Sequence, residues 1–259
     1  VNDANQPDYY DGDIRVVDPD GKEFARFRPE EYLDHIEERV EPWSYIKFPY
    51  LSKIGWKGFV DGPDSGIYRV APLARLNVAE GMSTPEANSH FKEMYSTLGG
   101  GPVHHTLAMH WARLIELLNA AEMLEDLVKD PGITGSDVRA KLGKPTEGVG
   151  VVEAARGTLF HHYKLDDEGM VDKVNLIVAT VNNSASICMS VKNAAKSVIH
   201  GGNVDDGILN TVEMAFRAYD PCFACATHTL PGSMPLVVDL RRRDGTVIKS
   251  FSRDGEGGL

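Results

Sequence analysis

An α+β, helix-rich fold with small β-hairpins at its periphery is what the sequence predicts, on three observations. Two long stretches repeat apolar residues at three- and four-residue spacing. Each end of the chain carries two apolar runs around a tight turn, and further short strand patches lie between the helices without internal repeats. At about 150 residues per domain, 259 residues make one large domain or two small ones. The pattern reads as a single unit with an edge hairpin at each end.

The elements follow in order. Ile14-Arg15-Val16-Val17 and Phe24-Ala25-Arg26-Phe27 flank Asp18-Pro19-Asp20-Gly21, a proline–glycine turn between two strands. A short strand is expected at 67–70. Over 106–128, Leu107, Trp111, Leu114, Ile115, Leu118, Ala121 and Leu127 recur at helical spacing, and Pro131-Gly132 stops the helix. Residues 99–101 and 132–148 read as loops, and strands are expected at 150–153, 158–163 and 173–180. A second helix over 205–219 carries Ile208, Leu209, Val212, Ala215, Phe216 and Tyr219. It must end by Asp220-Pro221, because proline disfavours α geometry in the residue before it. Leu236-Val237-Val238-Asp239-Leu240 and Thr246-Val247-Ile248 around Arg243-Asp244-Gly245 form the closing hairpin.

Composition narrows the function classes. With 42% apolar and 25% charged residues the chain is globular, not disordered or fibrous. No apolar run approaches the roughly 18 residues of a membrane span. The net charge of -11 disfavours nucleic acid as a partner, since phosphate binding draws on clustered Lys and Arg. Residues 1–41 hold 13 acidic against 5 basic side chains, a solvated edge or an acidic docking face. The start, Val1-Asn2-Asp3-Ala4, shows no signal peptide and no initiator Met, as expected of a processed chain, a fragment or one piece of a divided protein. Three cysteines are no disulfide framework, and a reducing, cytoplasmic setting fits them.

The sharpest local signal is Asp220-Pro221-Cys222-Phe223-Ala224-Cys225-Ala226-Thr227-His228. Two thiols three positions apart at a helix exit can converge on one soft metal ion, and His228 extends the set. Ala226 stands where haem attachment needs His, and a preceding helix is the wrong context for a thioredoxin-type motif. One Cys pair plus His228 is three of the four ligands of a structural zinc site, with Cys188 a conceivable fourth. Buried, inert thiols are the bland alternative. The second signal runs through Gly148-Val149-Gly150-Val151-Val152-Glu153-Ala154-Ala155-Arg156-Gly157. Arg156 here is either a guanidinium brought to a buried site or a surface-turn arginine. His161 and His162 are adjacent on a strand, face opposite ways and cannot easily share an ion.

Together these segments resemble the C-terminal half of a nickel–iron hydrogenase large subunit of the cytoplasmic, cofactor-coupled class, F420-non-reducing (viologen-reducing) or NAD-reducing. The similarity extends to Trp43-Ser44-Tyr45-Ile46-Lys47-Phe48-Pro49-Tyr50-Leu51, to Val70-Ala71-Pro72-Leu73-Ala74-Arg75-Leu76-Asn77-Val78, to Trp111-Ala112-Arg113-Leu114-Ile115-Glu116 and to Val178-Ala179-Thr180. It implies the C-terminal portion of that large-subunit fold over 1–228, with 229–259 as an extension. It further implies that Cys222 is a terminal nickel thiolate and Cys225 a thiolate bridging nickel and iron. His228 and the backbone carbonyl of Leu176 would serve a nearby magnesium-type hard cation. Arg156 would hydrogen-bond one iron-bound cyanide and Thr180 would face the other, with Asp220 the acid beside the first thiolate. The iron of such a centre carries CO and cyanide.

The sequence also departs from the family's pattern. Ala155 and Ala179 stand where Pro is frequent. The family's site takes four thiolates, two from an N-terminal C-x-x-C, and here there is no second pair. The resemblance therefore implies half a site, completed by an N-terminal large-subunit segment on another polypeptide, or else a truncated chain. Cys188 reads as a buried apolar thiol. The family's maturation protease cuts just after the position of His228, yet 229–259 remain: a precursor, or a lineage that keeps its tail. The implied activity is reversible oxidation of H2. Electrons would leave through iron–sulfur clusters in a small subunit, then pass to acceptor subunits of heterodisulfide reductase or NAD diaphorase type. Two rivals stand beside it: a non-catalytic scaffold that keeps the fold, and a zinc or redox protein using Cys222 and Cys225 alone.

Overall fold

The structure, a computed structural model, describes residues 1–44, 46–62, 64–139, 141, 143–227 and 236–253. It divides into two compact units, Val1–Pro221 and Cys222–Leu259. This is a division by packing. The expected boundary after His228 concerns processing, and it falls outside the described residues.

The first unit opens on the predicted hairpin, β1 (Ile14–Val17) against β2 (Glu23–Phe27), antiparallel with an irregularity between Val16 and Val17. Asp18 Oδ1 accepts from the backbone N–H groups of Asp20 and Lys22 and closes the turn. A single helical turn, α1 (Tyr32–His35), leads into β3 (Ile36–Arg39), which pairs antiparallel with β4 (Phe48–Leu51). Three helices follow: α2 (Pro72–Val78), α3 (Pro85–Thr97) and α4 (Ala108–Leu127). Proline begins α2 and α3, where its fixed φ suits the first turn and its missing N–H costs no bond.

A three-stranded antiparallel sheet comes next, β5 (Glu147–Ala154), β6 (Gly157–Leu165) and β7 (Val171–Ile177), with β6 central. The short helix α5 (Ala179–Asn182) joins it to α6 (Ser184–Val198), which packs on α7 (Asp206–Arg217). Asp205 caps α7 by accepting from the N–H of Ile208 at 2.8 Å. The core joins Leu73 and Leu76 of α2, Phe91 and Met94 of α3, Met109, Ala112 and Ile115 of α4, and Ile187 of α6 to Tyr219. Glu122 of α4 locks the start of α3, accepting from Thr84 Oγ1 at 2.6 Å and from the backbone of Ala87 at 2.9 Å. The second unit contains α8 (Phe223–Thr227) and the expected closing hairpin, β8 (Leu236–Arg241) with β9 (Val247–Arg253).

The architecture is the expected α+β, helix-rich one, with three local corrections. Residues 67–70 form no strand. Two of their hydrogen-bond partners are asparagine side chains: Tyr68 OH donates to Asn182 Oδ1 and Val70 N–H to Asn183 Oδ1. The strand expected over 173–180 ends at Ile177, because α5 begins at Ala179. The loop expected over 132–148 gives way to β5 at Glu147. No helix among the described residues is long and apolar enough to cross a membrane.

Candidate functional site

Arg156 sits at the tip of the β5–β6 hairpin. Pairing runs down to Ala154 opposite Gly157, so Ala155-Arg156 is a two-residue turn. Gly157 has φ +132°, and a Cβ there would stand 2.2 Å from Val70 Cγ2 and 3.2 Å from the Ala179 carbonyl oxygen. Only glycine lets the hairpin approach α5 and the 67–70 segment this closely.

The Arg156 Nε–H donates to the backbone carbonyl of Asp220 at 2.9 Å and stands 3.4 Å from its carboxylate. Asp220 adopts φ 51°, a left-handed conformation that Asp tolerates better than most residues. Both side chains are about two-fifths exposed, at 43% and 41%. Water therefore screens the ion pair, and what the contact supplies is orientation more than stability.

Beneath the turn lies a charge cluster that sequence reasoning missed. Arg75 is buried and engages Glu116 bidentately, with both contacts at 2.6 Å. Its remaining nitrogen donates at 2.9 Å to Glu153 Oε2 and at 2.9 Å to the carbonyl of Ala154, the residue before the turn. Thr158 Oγ1 donates to the other Glu153 oxygen at 2.5 Å. Burial by itself would lower the Arg75 pKa, but the hydrogen bonds and charge of Glu116, then Glu153, outweigh it and the net direction is upward. Burial raises the neighbouring Tyr9 phenol, with the Glu116 charge adding to it. A cavity of about 280 Å³ in this unit is lined by Tyr68, Arg75, Arg113, Glu153 and Phe160 among others. Among the described residues, the buried Arg113 Nε has no hydrogen-bond partner.

Thr180 is buried in α5. That helix is fixed from both sides, because Asn182 Nδ2 donates to the Thr158 carbonyl at 2.7 Å while its Oδ1 accepts from Tyr68. Leu176 lies on β7 opposite His161. The two histidines do part company as expected. His162 Nδ1 meets Tyr32 OH and its Nε2 meets Glu147, both at 3.0 Å, whereas His161 Nδ1 meets Tyr163 OH at 3.3 Å.

In the second unit, Cys222 and Cys225 are joined as a disulfide across a Cα separation of 5.3 Å. The C-x-x-C spacing does bring the sulfurs together, as one shared ligand would require, but metal binding needs the pair reduced. The Ala226 N–H donates to the Cys222 carbonyl at 3.0 Å and starts α8, so a short helix begins within the motif and includes Cys225. Cys188 is half-buried on α6, and burial raises its thiol pKa, in line with the apolar-thiol reading. His228 lies outside the described residues. Among the described residues, no three His, Cys, Asp or Glu side chains gather into a metal-binding cluster. The donor set is thus a soft sulfur pair, fit for two positions of a thiolate-rich centre and needing donors from elsewhere.

Comparison with known proteins places this arrangement. The profile of the nickel-dependent hydrogenases matches residues 35–228, and the chain belongs to that family. It is 50% identical over 253 residues to an F420-non-reducing hydrogenase iron-sulfur subunit of Archaeoglobus profundus, covering 97% of this chain and 52% of that one. It is 40% identical over 258 residues to the NAD-reducing hydrogenase HoxS subunit beta of Cupriavidus necator, covering 98% and 51%. The crystal structure of an NAD+-reducing [NiFe]-hydrogenase in the H2-reduced state superposes with a TM-score of 0.79 at 42% identity, over 86% of this chain and 48% of that one. The chain thus spans about half the length of the relatives it matches.

Proposed function

We propose that this chain supplies the C-terminal half of a nickel–iron site that oxidises H2 reversibly to protons and electrons. The observation that carries the reading is the tie between Arg156 and Asp220. It joins the hairpin arginine to the residue that precedes Cys222 by two positions, and both lie within the family match.

In the reduced, thiolate form Cys222 and Cys225 would hold the metal centre as a pair of soft sulfur ligands. A nickel–iron centre, its iron carrying CO and cyanide, would supply Lewis acidity and the redox couple for heterolytic cleavage of H2. A thiolate such as Cys222, or a base near Arg156, would take the proton. The Arg156 guanidinium would donate its fixed fork of N–H groups to one cyanide, held in direction by Asp220, with the Thr180 hydroxyl serving the other. The Leu176 carbonyl and His228 would hold a magnesium-type cation. A polypeptide segment bearing the second cysteine pair completes the ligand set. An iron–sulfur small subunit carries the electrons to acceptor subunits of heterodisulfide reductase or NAD diaphorase type, in the cytoplasm.

The test is metal retention. In the natively assembled complex, Cys222→Ser should abolish nickel binding, and normal nickel content in that variant contradicts the proposal. The closeness of the two sulfurs also suits a second reading, a redox or zinc-binding dithiol. Zinc at about one per chain, without nickel, would support that one.

A further inference from the structure

The hairpin that carries Arg156 is fixed at its base as well as through Asp220. Ala155-Arg156 is a two-residue turn, so any rotation of the strands below it carries directly to the guanidinium. One step below the turn stand Glu153 and Thr158, which face one another across the pair. Thr158 is buried, and its hydroxyl donates to Glu153 Oε1 at 2.5 Å. The other oxygen, Oε2, accepts from Arg75 at 2.9 Å, so the carboxylate is held on both sides. The Thr158 carbonyl is engaged too, accepting from Asn182 Nδ2 at 2.7 Å. Asn182 is buried two residues beyond Thr180 in the same short helix, α5. Thr158 thus bonds both to the mounting of Arg156 and to the helix that carries Thr180.

We infer that Thr158 is a positioning residue: its hydroxyl, through Glu153, aims the Arg156 guanidinium, and its carbonyl, through Asn182, sets that guanidinium's place relative to the Thr180 hydroxyl. The inference rests on the proposed roles of Arg156 and Thr180 at the two cyanides, and adds what keeps them in register. Chemistry separates Thr158 from its neighbours. Arg75 and Glu116 form a buried charge pair, and removing either partner strands a charge and threatens the fold. The Thr158 hydroxyl is neutral, and Thr158→Val removes it while keeping a β-branched side chain suited to the strand. What the substitution takes away is the hold on one carboxylate oxygen, since a methyl group cannot donate.

The experiment uses the natively purified complex, as wild type and with Thr158→Val, Thr158→Ser or Arg156→Lys. Three readouts are taken: H2 oxidation per bound nickel, the infrared stretches of the iron-bound cyanides, and amide hydrogen exchange over 154–157. In Thr158→Val, kcat per nickel should fall about 10-fold with KM for H2 little changed, the pattern of lost transition-state alignment. Its cyanide bands should move as they do in Arg156→Lys, and the turn amides should exchange faster than in wild type. Thr158→Ser keeps the donor and should match wild type in all three. Native bands and native kcat in Thr158→Val overturn the inference. So do band shifts unlike those of Arg156→Lys, or a Thr158→Ser variant as impaired as Thr158→Val, which would assign the effect to the fold. Loss of nickel from Thr158→Val also counts against it, because a positioning residue leaves the ligands in place. A wild-type complex without nickel or cyanide bands overturns the half-site reading itself. Their presence beside an unaffected Thr158→Val overturns the positioning role alone.

Discussion

The guanidinium of Arg156 donates to the backbone carbonyl of Asp220 across 64 residues of sequence, at 2.9 Å. The hairpin tip and the turn that leads into Cys222 are therefore held by one directional bond. Asp220 provides the carbonyl from a left-handed conformation, and the carboxylate beside it adds charge without adding much stability.

Arg156→Lys tests this orientation directly. Lysine keeps the charge but loses the planar fork, so nickel content should stay normal while H2 oxidation falls on the order of 10²-fold. Metal analysis and H2-dependent dye reduction on the same preparation check it. Near-normal turnover removes Arg156 from the mechanism.

Arg75 should matter through stability. Removing it in Arg75→Ala leaves Glu116 and Glu153 facing one another without their shared cation, and breaking a buried ion pair from one side costs about 3–5 kcal/mol. Denaturant unfolding of the complex gives the value. A loss below about 1 kcal/mol would mean that water replaces the guanidinium, contrary to its burial.

The close approach at Gly157 predicts a coupled pair. Gly157→Ala meets both a positive φ and the Val70 side chain, and should destabilise by about 1–3 kcal/mol. Adding Val70→Ala should recover the steric part and leave the backbone part. A double-mutant cycle with no coupling would show that the contact is absent in solution.

These contacts also show what the sequence could and could not reveal. The end hairpins were legible because proline–glycine and Asp-Gly turns sit between apolar runs, and α4 and α7 because their apolar period is long. Helices α2, α3 and α6 were not read: α2 is short, α3 mixes few apolar positions with many polar ones, and α6 is rich in Ser and Ala. The apolar character of 67–70 suggested a strand, yet its hydrogen bonds go to Asn182 and Asn183, partners that no local pattern announces. The cysteine pair and Arg156 stood out as local signals, and resemblance to a family added the role of Asp220. The Arg75 cluster did not, because its contacts join residues 41 and 78 positions apart.

Acid stability should depend on Glu122. Hydrogen bonds from Thr84, then from the backbone of Ala87 and Glu86, hold its carboxyl below the ordinary value of 4.5. A depressed folded-state pKa contributes stability above the unfolded value and loses it as pH falls through the folded one. The melting temperature of wild type should exceed that of Glu122→Gln well above pH 4.5, and the two should converge beneath it. A gap that persists in acid would assign the effect to packing instead of charge.

A divided nickel–iron site is tested most directly by the nickel, iron and zinc content of the natively purified complex, with the intact mass of every polypeptide in it. The expected result is about one nickel per complex, beside a polypeptide segment bearing a second C-x-x-C pair. Zinc without nickel, and no such segment, would contradict it.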